Sequence, residues 1–207
     1  MQKFPKIKYF QLSDYFYDYK DHIYKNLEKV SQINFEKIVN LVEKKIISNS
    51  SIFLCGNGGS AAIANHYICD FLKVLRTGTN FKPKFFSLIS NIDLISAISN
   101  DLNYSEVFKY QLESLAKRND LVIFISSSGN SSNIKKALDY CKKKKISSIG
   151  FCGFDGGYLK KYCTIPLHLN INNYGVVEDV HHILMHIMLQ FLRQKHMRKK
   201  NISKLKF

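Results

Sequence analysis

No run of about eighteen apolar residues occurs in the 207-residue chain, so no segment is suited to crossing a membrane as a helix. The opening residues, MQKFPKIKYFQLSDYF, interrupt every apolar stretch with a charge, a proline or a polar residue and contain no signal-peptide core. The expectation is a cytoplasmic protein with no membrane partner. The five cysteines (Cys55, Cys69, Cys141, Cys152, Cys163) are odd in number and include no CxxC pair. That excludes a zinc knuckle or a dithiol redox motif and leaves reduced, partly buried thiols. No internal repeat, Pro/Ser-rich linker or low-complexity block divides the chain, whose length suits one compact α/β domain and not two. Acidic residues are scarce, 16 against 31 Lys and Arg, which gives a formal charge of +15. Such an excess can signal nucleic-acid binding. Here the cations are mostly lysines spread along a chain also rich in Asn, Ile, Phe and Tyr, the composition of an AT-rich genome. No nucleic-acid partner is expected. The dense basic tail, RQKHMRKKNISKLKF, leaves room for an anionic ligand or partner.

Hydrophobic residues make up 45% of the chain, enough for a sizeable core. Residues 12–29 and 34–48 read as two amphipathic helices. Phe16, Tyr19, Ile23 and Leu27 mark one face, and Phe35, Ile38, Val39, Leu41, Val42 and Ile46 the other. Short apolar runs then alternate with helical segments. Predicted strands at 51–55, 84–89, 120–126, 147–152 and 163–169 are interleaved with helices near 60–75, 91–99, 104–117, 131–144, 155–161 and 176–195. Continuously apolar strands separated by helices indicate a five-stranded parallel α/β sheet covered on both faces, flavodoxin-like in layout. Residues 1–50 read as N-terminal helices serving oligomerisation, and 51–207 as the domain proper with its C-terminal helix and basic tail.

Two strands run into glycine- and hydroxyl-rich turns that open helices: Cys55-Gly56-Asn57-Gly58-Gly59-Ser60 and Ser126-Ser127-Ser128-Gly129-Asn130-Ser131-Ser132. A strand delivers each turn to the carboxyl edge of the sheet, where open α/β folds bind ligands. Glycine lets backbone approach closely, the helix start offers unpaired N–H groups to an anion, and serine adds donors without charge. The plainer reading, that glycine makes the turn and serine caps the helix, serves for one such loop and less well for two. Neither loop contains the Gly-Lys-Ser/Thr of a Walker A motif. GNGGSA fits the looser GxGxxA dinucleotide pattern, but no acid lies about 20 residues on to hold a ribose. A small phosphorylated ligand is the better fit, with Asn57, Gly58, Gly59 and Ser60 lining the first loop.

A second cluster sits on helices. His66 and Asp70 are four apart and share a face, and Glu178, His182 and His186 form an i, i+4, i+8 series beside His181. Such a set could ligate a borderline cation such as zinc. A histidine on an apolar helix face is ordinarily a packed core residue, and His181 and His182 are read so.

The segments GNGGSAAIANHYICDFLK, SNDLNYSEVF, ISSSGNSSNIKKAL and VVEDVHHILMHIM, in that order and spacing, resemble the sedoheptulose 7-phosphate isomerase (phosphoheptose isomerase) branch of the SIS-domain family, over essentially the whole chain. The resemblance implies that Ser60, Ser126, Ser127, Ser128 and Ser131 hold the phosphate and that Asp101 lies near the sugar. It implies a divalent metal, zinc, on His66, Asp70, Glu178 and His186, with Asp70, Glu178 and His186 as the acid–base groups. Asp70 stands where the family has glutamate, and Glu178 where it has glutamine. The shorter aspartate shifts a catalytic carboxylate by about a methylene, and Glu178 adds negative charge. The resemblance also implies a homotetramer with active sites at subunit interfaces, and a heptose 7-phosphate product for lipopolysaccharide or capsule. Two rivals stay open: a SIS enzyme for another sugar phosphate, and a non-catalytic regulator similar to the replication-initiator-associating protein.

Overall fold

The computed structural model describes residues 2–206. In chain order it contains β1 (Gln2–Lys3), α1 (Leu12–Glu28), α2 (Gln32–Ile47), β2 (Ser51–Cys55), α3 (Gly59–Lys73) and β3 (Lys84–Ser87). Then come α4 (Ile92–Asp101), a 3-10 turn (Tyr104–Glu106), α5 (Val107–Leu115), β4 (Leu121–Ser126), α6 (Ser132–Lys144) and β5 (Ser147–Cys152). The chain finishes with α7 (Gly157–Tyr162), β6 (Ile165–His168), β7 (Ile171–Asn172), α8 (Tyr174–His196) and α9 (Lys199–Ile202).

Five strands form one parallel sheet in the order β3-β2-β4-β5-β6, and β1 pairs with β7 in a separate two-stranded ribbon. Leu121, Ile123 and Ile125 of β4 point into one core while Val122 and Phe124 point into the other. This period of two, with every residue buried, is why β4 reads as an unbroken apolar run. The first core also receives Ile38, Val39, Val42 and Ile46 of α2, Tyr67 and Phe71 of α3, and the apolar side of α8. The second core is closed by α4, α5 and α6.

On α1, Tyr19, Ile23 and Leu27 pack on the first core, as their spacing predicts. Phe16 does not: it is 60% exposed, so the buried stripe of α1 is narrower than the periodicity suggests. Strand β3 ends at Ser87, two residues before the apolar run does. The Ser87 hydroxyl accepts from the N–H groups of Ile89 and Ser90, which turns the chain away from the ladder. The basic tail folds back on the body: the buried Arg193 donates from Nε to the Thr77 carbonyl at 2.9 Å and from Nη1 to the Lys206 carbonyl at 2.7 Å. All five cysteines are free thiols, and only Cys69 is exposed.

The connections place the site. From β2 the chain moves outward to β3, then returns across β2 to β4 on the other side. The carboxyl ends of β2 and β4 are therefore the switch point where an open sheet leaves a crevice. Cys55 and Ser126 end those two strands, so both serine–glycine loops open there.

Candidate active site

The two loops are tied to each other by a reciprocal amide pair. Asn57 Nδ2 donates to Asn133 Oδ1 at 3.1 Å, and Asn133 Nδ2 donates back to Asn57 Oδ1 at 2.9 Å. Asn133, in the first turn of α6, is buried, so the pair is fixed from the core side. Tyr104 closes the arrangement, its hydroxyl donating to Asn57 Oδ1 at 2.9 Å. Asn133 and Tyr104 carry no motif of their own, and only the crossing of the chain at the switch point brings them to Asn57.

Neither helix start is capped by a side chain: Gly58 precedes α3 and Ser131 precedes α6, both without a capping hydrogen bond. Within the first turns the Ala61 N–H reaches the Gly58 carbonyl at 3.0 Å and the Ile134 N–H reaches Asn133 Oδ1 at 2.9 Å, so it is the opening N–H groups and the dipole of each helix that are offered to a ligand. The serine-as-cap reading fails at Ser131. Ser126 accepts from the Gly129 N–H at 3.2 Å, and Ser128 accepts from the Asn130 N–H at 3.3 Å, so these hydroxyls hold the turn while keeping their protons to donate. Ser60 and Ser127 are buried, and Ser127 Oγ has no hydrogen-bond partner among the described residues. A buried hydroxyl without a partner is costly unless a ligand completes it. Gly129 has φ +64°, and a Cβ there would lie 2.3 Å from the Gly156 carbonyl oxygen, so the turn requires glycine.

Asp101 ends α4, exposed, its carboxylate accepting from Asn100 Nδ2 at 2.9 Å, with no hydrogen bond to either loop among the described residues. Its segment reaches the site through Tyr104 instead.

The second cluster lies where α3 packs on α8. His66 Nε2 is 3.3 Å from His186 Nε2, and Asp70 Oδ2 is 3.5 Å from the first and 3.4 Å from the second. Donors about 2.0–2.1 Å from a tetrahedral zinc ion stand roughly 3.3–3.4 Å apart, so these three atoms have the spacing of one face of such a site. His182 stacks on His186 with ring centroids 4.6 Å apart and meets His66 edge-on at 4.7 Å. The ligating atoms of His66, His182 and His186 lie within 4.8 Å of one another. His182 Nε2 is buried without a hydrogen-bond partner among the described residues. Burial, reinforced by His186 and His66, holds its imidazole below the ordinary 6.5 and so in the neutral form that binds metals. The residues present therefore fit a divalent ion. His181, fully buried with its ring on Phe151, is the packed core histidine its surroundings predict, pushed down to about 3 by burial. His182 departs from that reading: it faces the cluster. Its place in the Glu178–His182–His186 series was the available signal.

Glu178 is positioned differently. A Cβ built on Gly59 would fall 2.4 Å from Glu178 Oε2 and 2.6 Å from Oε1, so its carboxylate lies directly on the opening residue of α3. It thereby links the phosphate loop to the histidine cluster. Burial raises the Glu178 carboxyl above its ordinary 4.5, and Asp179 beside it adds to the rise. Asp179 is held by the Tyr19 hydroxyl of α1, which donates to Oδ2 at 2.7 Å.

A model of the SIS domain family matches residues 15–153. The phosphoheptose isomerase of Clostridium acetobutylicum is 34% identical over 176 residues, covering 85% of this chain and 88% of the relative. The phosphoheptose isomerase of Helicobacter pylori strain 26695 is 31% identical over 189 residues, covering 90% and 95%. The solved structure of a phosphoheptose isomerase from Neisseria gonorrhoeae superposes with a TM-score of 0.80 at 23% identity, covering 88% of this chain and 97% of that one, which shows the shared fold. With paired serine–glycine loops at the switch point and relatives of this likeness over most of its length, the chain belongs to the SIS domain family, on its phosphoheptose isomerase branch.

Proposed function

We propose that the protein is an isomerase that interconverts sedoheptulose 7-phosphate and D-glycero-D-manno-heptose 7-phosphate. The observation that carries the reading is the crevice itself: a buried Ser127 hydroxyl unpartnered among the described residues, and two helix starts without an N-cap side chain, one of which, at Gly59, carries the Glu178 carboxylate of the histidine-bearing α8. The phosphate would rest on Ser60, Ser126, Ser127, Ser128 and Ser131 and on the backbone of Asn57, Gly58 and Gly59. That anchorage leaves the carbonyl end of the sugar toward α8.

In the ketose-to-aldose direction, a base takes a proton from C1 and returns it to C2. A second group moves a proton from the C1 hydroxyl to the C2 oxygen. A carboxyl raised toward neutrality is suited to the first task, and Glu178 is such a group. Asp70 and His186 are the other acid–base candidates. A nitrogen that binds an ion cannot carry a proton at the same time, so His186 serves one of these roles through Nε2 and not both. A divalent ion on this donor set, zinc by the preference for imidazole and carboxylate, would polarise the carbonyl and stabilise the enediolate. The metal-ligand spacing in the cluster favours an enzyme over a non-catalytic regulator, which would need no such site.

The reading extends to a cytoplasmic homotetramer serving lipopolysaccharide or capsule synthesis. Phe10, Leu12, Phe16 and Tyr17 expose 60–82% of their surface at the N-terminal end, and Ile187 and Phe191 of α8 are half exposed, which suits packing against further copies. The test is turnover of sedoheptulose 7-phosphate by purified protein, with bound metal measured on the same sample. Turnover lost on chelation and restored by zinc is expected; no turnover with the metal-loaded protein would refute the reading.

A further inference from the structure

Glu178 and His186 are eight residues apart on one helix, about 12 Å along its axis. An ion about 2 Å from a donor on each must lie between them, which is the position of His182. Fraying of the helix start would relax that limit. It is absent here: α8 begins at Tyr174, four residues before Glu178, and Asn173 caps it by accepting from the Val176 N–H at 2.9 Å. The Glu178 carboxylate instead lies against Gly59, at the phosphate loop. His182, one turn closer to His186, has a buried Nε2 with no partner among the described residues and a ligating atom within 4.8 Å of those of His66 and His186.

We propose that His182 is the third imidazole ligand of the divalent-metal site and that Glu178 lies outside the coordination sphere. The ligand set is then His66, His182, His186 and Asp70. This rests on the metal-dependent reading above and changes its chemistry. The position where the family resemblance implies a ligand becomes a free carboxylate between ion and phosphate, available to the substrate carbon. A nitrogen-rich set also compensates for the short Asp70, because the ion no longer depends on two carboxylates.

Zinc and cobalt binding to the full-length protein, stripped by chelator, tests the assignment without reference to turnover. His182→Ala and His182→Gln should each weaken Co²⁺ affinity by at least the roughly 10–100-fold that losing even a partner beyond the ligands costs. Glu178→Ala, which removes any ligating oxygen there, should stay within about threefold of the parent. X-ray absorption of the zinc-loaded parent should count three imidazoles, which reads the ligand set with no variant that could misfold. Two imidazoles, a His182 variant binding as tightly as the parent, or a comparable loss in Glu178→Ala would each overturn the proposal. A parent that binds neither metal overturns it together with the metal-dependent part of the function. Three imidazoles without sedoheptulose 7-phosphate turnover would leave it standing while the isomerase reading fell.

Discussion

Gly59→Ala should separate catalysis from stability. The added Cβ would lie 2.4–2.7 Å from the Glu178 carboxylate atoms. An unstrained carbon–oxygen contact needs about 3.4 Å, so the carboxylate must retreat by about 1 Å. A misplacement of that size in a proton-transferring group costs on the order of 100-fold in kcat. Stability should move the other way. Gly59 opens α3, is exposed and does not adopt positive φ. Alanine there should gain up to about 0.5–1 kcal/mol of helix preference, a rise of about 2 °C in Tm for a chain of this size. The assay pairs thermal unfolding with turnover of sedoheptulose 7-phosphate for Gly59→Ala, Glu178→Gln and the double variant. If alanine acts by displacing Glu178, the double variant is no slower than Glu178→Gln alone. Full turnover in Gly59→Ala, or strictly additive losses, would refute the claim that Glu178 works from this position.

Ser127→Ala removes a buried hydroxyl that has no partner among the described residues. Stability should hold or rise, while affinity for the sugar phosphate falls about 10–100-fold, the worth of one hydrogen bond to a charged group; equal affinity by calorimetry would exclude Ser127 from the phosphate site. Away from the site, the buried Glu43 on α2 receives Lys195 Nζ at 2.8 Å and His196 Nε2 at 2.5 Å, which fastens the end of α8. Burial acts upward on its carboxyl, but the bonds and charges of Lys195 and His196 outweigh it and hold it below the ordinary 4.5. A depressed carboxylate stabilises the fold above its unfolded value near 4.5, and that contribution is lost as pH falls through the lower folded value. Glu43→Gln should therefore lower Tm at pH 7 by about 4 °C, from roughly 1.5 kcal/mol with Lys195 half exposed to screening water. The difference should narrow as pH falls below 4.5, and a gap that persists unchanged down to acid unfolding would contradict the linkage.

The strand–helix alternation was legible because its cause is local. Residues 52–55 and 121–125 are continuously apolar since both faces of the sheet are covered, and two of the strands, Ser51–Cys55 and Ser147–Cys152, have the bounds the sequence predicts. The loops were legible for the same reason: glycine and serine at strand ends announce turns and donors without any knowledge of what lies opposite. His66, Asp70 and His186 share helix faces by spacing alone, so their pairing with a second helix could be expected, though not which atoms would meet. Phe16 was misjudged because a helical stripe shows where a face can be, while the width of the partner surface decides how much of it is buried.

Sequence alone determined what depends on neighbours a few residues apart: the order of elements, the two anion-suited loops and the helical faces that carry histidine. Tertiary structure decided everything that depends on which distant segments meet. The crossing from β3 back to β4 joins Asn57 to Asn133 and Tyr104, and the packing of α3 on α8 turns His182 from the core to the cluster and lays Glu178 on Gly59. Helical periodicity fixes direction around an axis but not the height at which two axes cross, and that height selects the residue that reaches the shared point.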